Sequence, residues 1–211
     1  KLTEQTYRRL VHDKQKQIRE ELLHGAAGDD CAIFSFDGGK SRTALFTCQV
    51  AYGGEYSGSY GVFGAVNRCA AAGYETVGVC ASLLLPLGAE ENLAGAVIQN
   101  IRYATDRLQL PLADVNLCVT AAATRPVATV VAVAKGKGMF ASISDKTVWA
   151  GMDVVMTKWA GMEGSVVLAR ACKEELLSRY PSCLVTQTEA FDERLSVVAE
   201  AAAAGKSGVC M

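Results

Sequence analysis

Asp29 and Asp30 stand side by side, after Gly28 and ahead of an apolar run that begins at Cys31. Adjacent carboxylates at a turn entering a strand can hold a hard divalent cation, and the cation can hold phosphate. The same pattern also serves as a solvated turn, because Gly and Asp are ordinary turn residues. A second candidate is Gly161-Met162-Glu163-Gly164, which opens a helical run. Backbone N–H groups at such a start can bind an anion, although many helix starts carry no ligand. Glu163 fits there as an acid favoured by the helix dipole. Lys158, just upstream, reads as a phosphate contact or as an exposed surface lysine. Tyr52, Tyr56 and Tyr60 interleave with Gly53, Gly54, Gly58 and Gly61. That loop suits a nucleotide lid or packing at a subunit seam.

The cysteines offer a different chemistry. There are eight, with no C-x-x-C pair, and only two histidines, His12 and His24. This argues against a zinc site. Cys48, Cys69 and Cys118 could converge on a soft metal or a redox centre, but free cysteines are ordinarily small buried hydrophobes. The usage fits a reducing, cytoplasmic compartment.

The elements that must position these groups follow from the patterning. The 211 residues are half apolar and carry a net charge of -1. That is enough chain for one large or two small domains. Neither nucleic acid nor a membrane surface is indicated as a partner by bulk charge, and no apolar run is long enough to span a bilayer. The polar N-terminus is no secretory signal; it lacks Met, which suggests processing or trimming. Residues 3–23 read as a charged helical or extended arm with Thr3 as a helix cap. Strands are expected at 31–36, 43–50, 76–85, 115–119, 127–134 and 153–157. The run at 76–85 is apolar throughout, as when both faces are buried. Helices are expected at 60–72, with Gly73 ending it, at 89–108, where Leu93, Val97, Ile101, Ala104 and Leu108 share a face, at 165–179, and from 189 to 204. Small residues in the first of these let it sit close to a sheet. Lys135-Gly136-Lys137-Gly138 breaks the pattern and divides the chain into 1–138 and 139–211. Alternating strands and helices indicate an α/β or α+β fold: a mixed sheet with helices on one face, followed by a partial α/β domain.

The order of motifs then resembles a known family. Gly28-Asp29-Asp30-Cys31-Ala32, the 65–73 run Ala-Val-Asn-Arg-Cys-Ala-Ala-Ala-Gly, Ser82-Leu83-Leu84-Leu85-Pro86 and Arg125-Pro126-Val127 are similar to the aminoimidazole-ribonucleotide (AIR) synthetase superfamily. In the second half, the 153–164 run ending Lys-Trp-Ala-Gly-Met-Glu-Gly and the 191–198 run starting Phe-Asp-Glu-Arg resemble its hydrogenase-maturation-like branch. The resemblance implies an ATP-binding fold whose first domains pair sheet against sheet, as a homodimer or with a related subunit. ATP and Mg would lie in a cleft that the second domain closes. Asp29 and Asp30 would be the metal ligands. With them Asn67, Lys158, Gly161, Glu163 and Gly164 would hold a nucleotide or another anion.

Departures from the family are as informative as the matches. A Thr-Asp pair in the second strand is here Thr47-Cys48, and an Asn-Asp pair in the helix is Asn67-Arg68. Cys118 stands where a glutamate is expected. Magnesium requires hard oxygen ligands, so these changes remove what the metal needs. Arg68 could instead pair with Asp29 and Asp30. The family also continues past Ser207-Gly208-Val209 into a further stretch; either the chain is shortened or the remainder was not included. Two functions are therefore carried forward. One is a degenerate homologue acting as a non-catalytic scaffold, binding or assembly protein. The other is a divergent ATP-dependent enzyme or maturation-like factor.

Overall fold

The computed structural model describes residues 3–7, 9–10, 22–24, 31–38, 40–136 and 150–207. Six strands form one sheet: β1 (Leu22–His24), β2 (Cys31–Phe34), β3 (Arg42–Val50), β4 (Glu75–Pro86), β5 (Leu112–Thr120) and β6 (Val127–Gly136). Their spatial order is β1-β2-β3-β6-β4-β5. The helices are α1 (Glu4–Tyr7), α2 (Ser57–Ala71), α3 (Glu91–Arg107), α4 (Met162–Ala171), α5 (Lys173–Arg179), α6 (Ser182–Glu189) and α7 (Val198–Ser207). Thr3 caps α1 through a 3.3 Å bond from the Thr6 N–H.

β6 runs antiparallel to both β3 and β4, while β4 and β5 are parallel. Parallel neighbours need a crossover, and α3 supplies it. The register settles which side chains share a face. Cys48 pairs with Val130, and Ala81 with Val130. These residues therefore face the helices together with Phe46, Ala132, Val79 and Leu83. Thr47, Val131 and Ser82 point to the other face. Along β6, Ala128, Val130, Ala132 and Ala134 are fully buried, and the residues between them are half-buried.

That alternation revises the reading of 76–85. Val79, Ala81, Leu83 and Leu85 are buried, but Ser82 is exposed and Leu84 only half-buried. The strand is apolar on both sides, and helices cover one of them.

α2 sits close to the sheet where Gly61 and Gly64 present no side chain to it. A Cβ on Gly61 would lie 2.8 Å from Val130, and one on Gly64 2.6 Å from the Cys48 sulfur. The helix ends as expected: Gly73 takes φ 73°, and the Tyr74 N–H reaches back 2.9 Å to the Cys69 carbonyl. The Tyr56 and Tyr60 end begins with a 3-10 turn after Gly53, whose φ is 78°. α3 packs beside α2, burying Val97, Ile101 and Ala104.

The second half differs from expectation. Residues 152–157 form no strand; Val154, Val155 and Met156 are 99%, 83% and 64% exposed. A strand needs a neighbour for its backbone groups, and among the described residues none lies alongside. The helix expected at 165–179 is two helices, broken at Cys172 (φ -115°, ψ 27°). The expected 189–204 helix is a 3-10 turn, Ala190–Arg194, then α7.

Candidate functional site

The candidate site lies where β3, α2 and the start of α4 meet. Arg68, on the last turn of α2, donates from Nη1 to the Thr47 carbonyl at 2.7 Å. Cys48 follows Thr47 on the helix-facing side, half-buried under Gly64. Burial pushes its thiol pKa up; the Arg68 cation opposes that shift and the Glu163 charge adds to it. Cys48 and Arg68 are thus neighbours, with Glu163 within electrostatic reach.

Glu163 accepts a 2.5 Å hydrogen bond from the Tyr52 hydroxyl. Burial and this carboxylate together push the Tyr52 phenol above its ordinary range, so the tyrosine is the donor. Gly161 caps α4 in the left-handed region at φ 72°, and its carbonyl accepts from the Ser165 N–H at 2.9 Å. A Cβ at either Gly161 or Gly164 would meet nothing within 4 Å, but only Gly161 takes a positive φ.

Asn67 and Lys158 turn to a neighbouring segment. Asn67 donates from Nδ2 to the Leu195 carbonyl at 2.8 Å and accepts from the Val197 N–H at 2.9 Å. Lys158, held at φ 59°, donates to the carbonyls of Arg194, at 2.9 Å, and Ser196. Its ammonium also pairs with Glu200 at 2.9 Å, which holds that carboxyl below the usual glutamate range. Both side chains therefore fasten residues 194–200.

Asp29 and Asp30 lie outside the described residues. Cys48 and Cys118 do not converge. Cys118 is exposed on β5 at the sheet edge, on the face opposite Cys48. Three strand spacings separate β3 from β5, roughly 14 Å. Cys69 is fully buried, and burial pushes its pKa up to about 11. Among the described residues, no group of three His, Cys, Asp or Glu side chains could hold a metal ion.

The sequence reading missed the most buried charges. Arg170 of α4 donates to Asp192 Oδ2 at 2.8 Å and to the Tyr60 hydroxyl at 2.7 Å. Its guanidinium lies 3.7 Å from the centre of the Tyr56 ring. Hydrogen bonds and the Asp192 charge, working against burial, hold the Arg170 pKa up. A signal was present: Arg170 continues the buried Met162-Val166 spacing of α4. The Tyr-Gly loop, read as a lid or a subunit seam, packs at a seam inside the chain.

With this geometry in view, the comparisons with known proteins are specific about fold. No protein-family model matches the chain, and no curated protein matches it by sequence. Among solved structures, AaThiL complexed with AMPPCP and TMP superposes with a TM-score of 0.62 at 16% identity, covering 85% of this chain and 57% of that one. Thiamine monophosphate kinase from Aquifex aeolicus gives 0.55 at 13% identity, covering 86% and 60%. The E. coli hydrogenase maturation protein HypE overlaps 44% of this chain and 32% of its own, with a TM-score of 0.39 at 14% identity. The chain has the fold of the ThiL kinases, the α/β architecture that the superfamily resemblance implies, and spans less than two-thirds of their length. No described helix is long and apolar enough to cross a membrane.

Proposed function

We propose that this chain is a degenerate relative of the AIR-synthetase and hydrogenase-maturation-like proteins, working as a non-catalytic scaffold, binding or assembly component. One observation carries the reading. The Arg68 guanidinium, bonded to the Thr47 carbonyl beside Cys48, stands where the resemblance places acids that hold magnesium. A fixed cation replaces the need for a metal and repels one. Asp29 and Asp30 pair with Arg68 in this reading. The chain divides into 1–138 and 139–211, and it works in the cytoplasm. The open face of the sheet, with Leu84, Val131 and Val133, pairs with a second copy or a related subunit.

The alternative is a divergent ATP-dependent enzyme. It draws on the ThiL-like fold, one example of which is complexed with AMPPCP. In that case Gly161, Glu163 and Gly164 edge an anion site at α4.

Isothermal calorimetry with AMPPCP and magnesium decides between them. The scaffold reading expects no magnesium-dependent binding in the micromolar range; such binding overturns it. The combined Cys48→Asp, Arg68→Asp and Cys118→Glu variant tests whether only the ligands have changed. Binding regained there supports decay at the ligand positions, and none regained means the cleft itself differs. Light scattering tests the sheet-face contact: Val131→Arg shifts a dimer toward monomer.

A further inference from the structure

The two halves of the chain meet along a seam built on one buried cation. We propose that residues 150–207 open from the α2 face as a unit, and that Arg170 is the latch that holds them closed.

The geometry of Arg170 is that of a latch. Its partner in its own half is Asp192, and the pair is 19% and 9% exposed. Its partners in the other half are the Tyr60 hydroxyl and the Tyr56 ring. Tyr60 is 1% exposed and is backed by Gly53, where any Cβ would stand 2.5 Å from the ring. The keeper is therefore rigid, and the bolt comes from the other side.

Other polar contacts cross the same seam. Tyr52 bonds Glu163, Asn67 bonds the backbone at Leu195 and Val197, and Arg107 Nη2 donates to the Glu193 carbonyl at 3.1 Å. Apolar closure accompanies them: Met162, Val166 and Leu195 join the main core, and Val167 and Phe191 pack against it. Polar contacts of this kind exchange for water on opening far more readily than a packed core does.

Asp192 Oδ2 takes the Arg170 bond, and no protein group among the described residues bonds Oδ1. The ion pair itself is no obstacle, since both members belong to the moving half and leave together. Low-free-energy openings of contiguous units have this construction.

Hydrogen exchange by mass spectrometry on the full chain tests the latch. Tyr60→Phe deletes one bond and leaves the ring; Arg170→Ala deletes the bolt. Each is expected to raise exchange roughly tenfold at the Val197 amide, whose N–H donates to Asn67 across the seam, while the intrahelical amides of α4 keep their bonds as the unit opens. Exchange in β4 and β6 stays at the wild-type rate. An equal rise in β4 and β6 overturns the proposal, because the halves then open only by global unfolding. Unchanged exchange at the seam in Tyr60→Phe also overturns it, and this variant decides the matter if Arg170→Ala does not fold.

Discussion

The two halves of this chain solve the burial problem in opposite ways. Residues 31–136 lay helices on a sheet and bury side chains such as Phe46, Val62, Val79, Ile101 and Val130 almost completely. Residues 150–207 are short helices that bury little of their own, notably Val166, Ala169 and Val185. They leave Leu168, Tyr180 and Leu184 about half-exposed or more, alongside the extended Val154–Val155–Met156 run. A sheet gives each helix a broad apolar surface; short helices without one must borrow theirs. The second half borrows from α2 and its surroundings: Met162, Val166 and Leu195 join the main core, and polar contacts such as Arg170–Tyr60 and Asn67–Leu195 cross the same seam.

The sharpest way to break this comparison is to cut equal side chains in each half. Ile101→Ala removes a side chain that is 0% exposed. It is expected to cost about 2–5 kcal/mol in urea unfolding. Leu184→Ala, at a position 48% exposed, is expected to cost less than about 1 kcal/mol. Similar losses would mean that the second half has a core of its own.

Glycine substitutions give a smaller effect with opposite signs. Gly61→Ala drives a methyl to 2.8 Å from Val130 and is expected to destabilise by about 1–3 kcal/mol. Gly164→Ala meets open space on a helix and is expected to stabilise by about 0.5–1 kcal/mol. Thermal melts of both check the contrast.

The smallest effect concerns pH. Lys158 lowers the folded pKa of Glu200 below its ordinary 4.5. A depressed carboxyl pKa contributes stability that is complete above the unfolded value and is lost as pH falls through the folded one. Wild type should therefore exceed Glu200→Gln slightly in melting temperature at neutral pH and converge with it as acidification passes below 4.5 and through the lowered folded pKa. A constant gap would show that the Lys158–Glu200 pair does not titrate with folding.

Part of this was legible in the residues, and part was not. The strands at Cys31, Thr43, Thr76 and Val127, and the helices ended by Gly73 and carrying Val97 and Ile101, were readable because local periodicity and turn chemistry specify them. The 153–157 strand was misread because strand-forming residues supply only half of a strand; the neighbour is not local. Asn67 and Lys158 read as ligands for a nucleotide, and they fasten residues 194–200. An amide or an ammonium has the same hydrogen-bonding capacity toward a phosphate as toward a backbone carbonyl. Only the fold says which is within reach.

By itself, then, the sequence determined the alternation of elements, the small-residue face that seats α2 close to the sheet, and the presence of Cys48, Arg68 and Cys118 on three of those elements. Tertiary structure decided which of these meet. Strand register put Cys48 under α2 and Cys118 on the far face, because a side chain's face alternates with every residue. Helix packing carried Arg170 across to Tyr60, because long-range contacts depend on how elements dock and leave only a faint trace in local pattern.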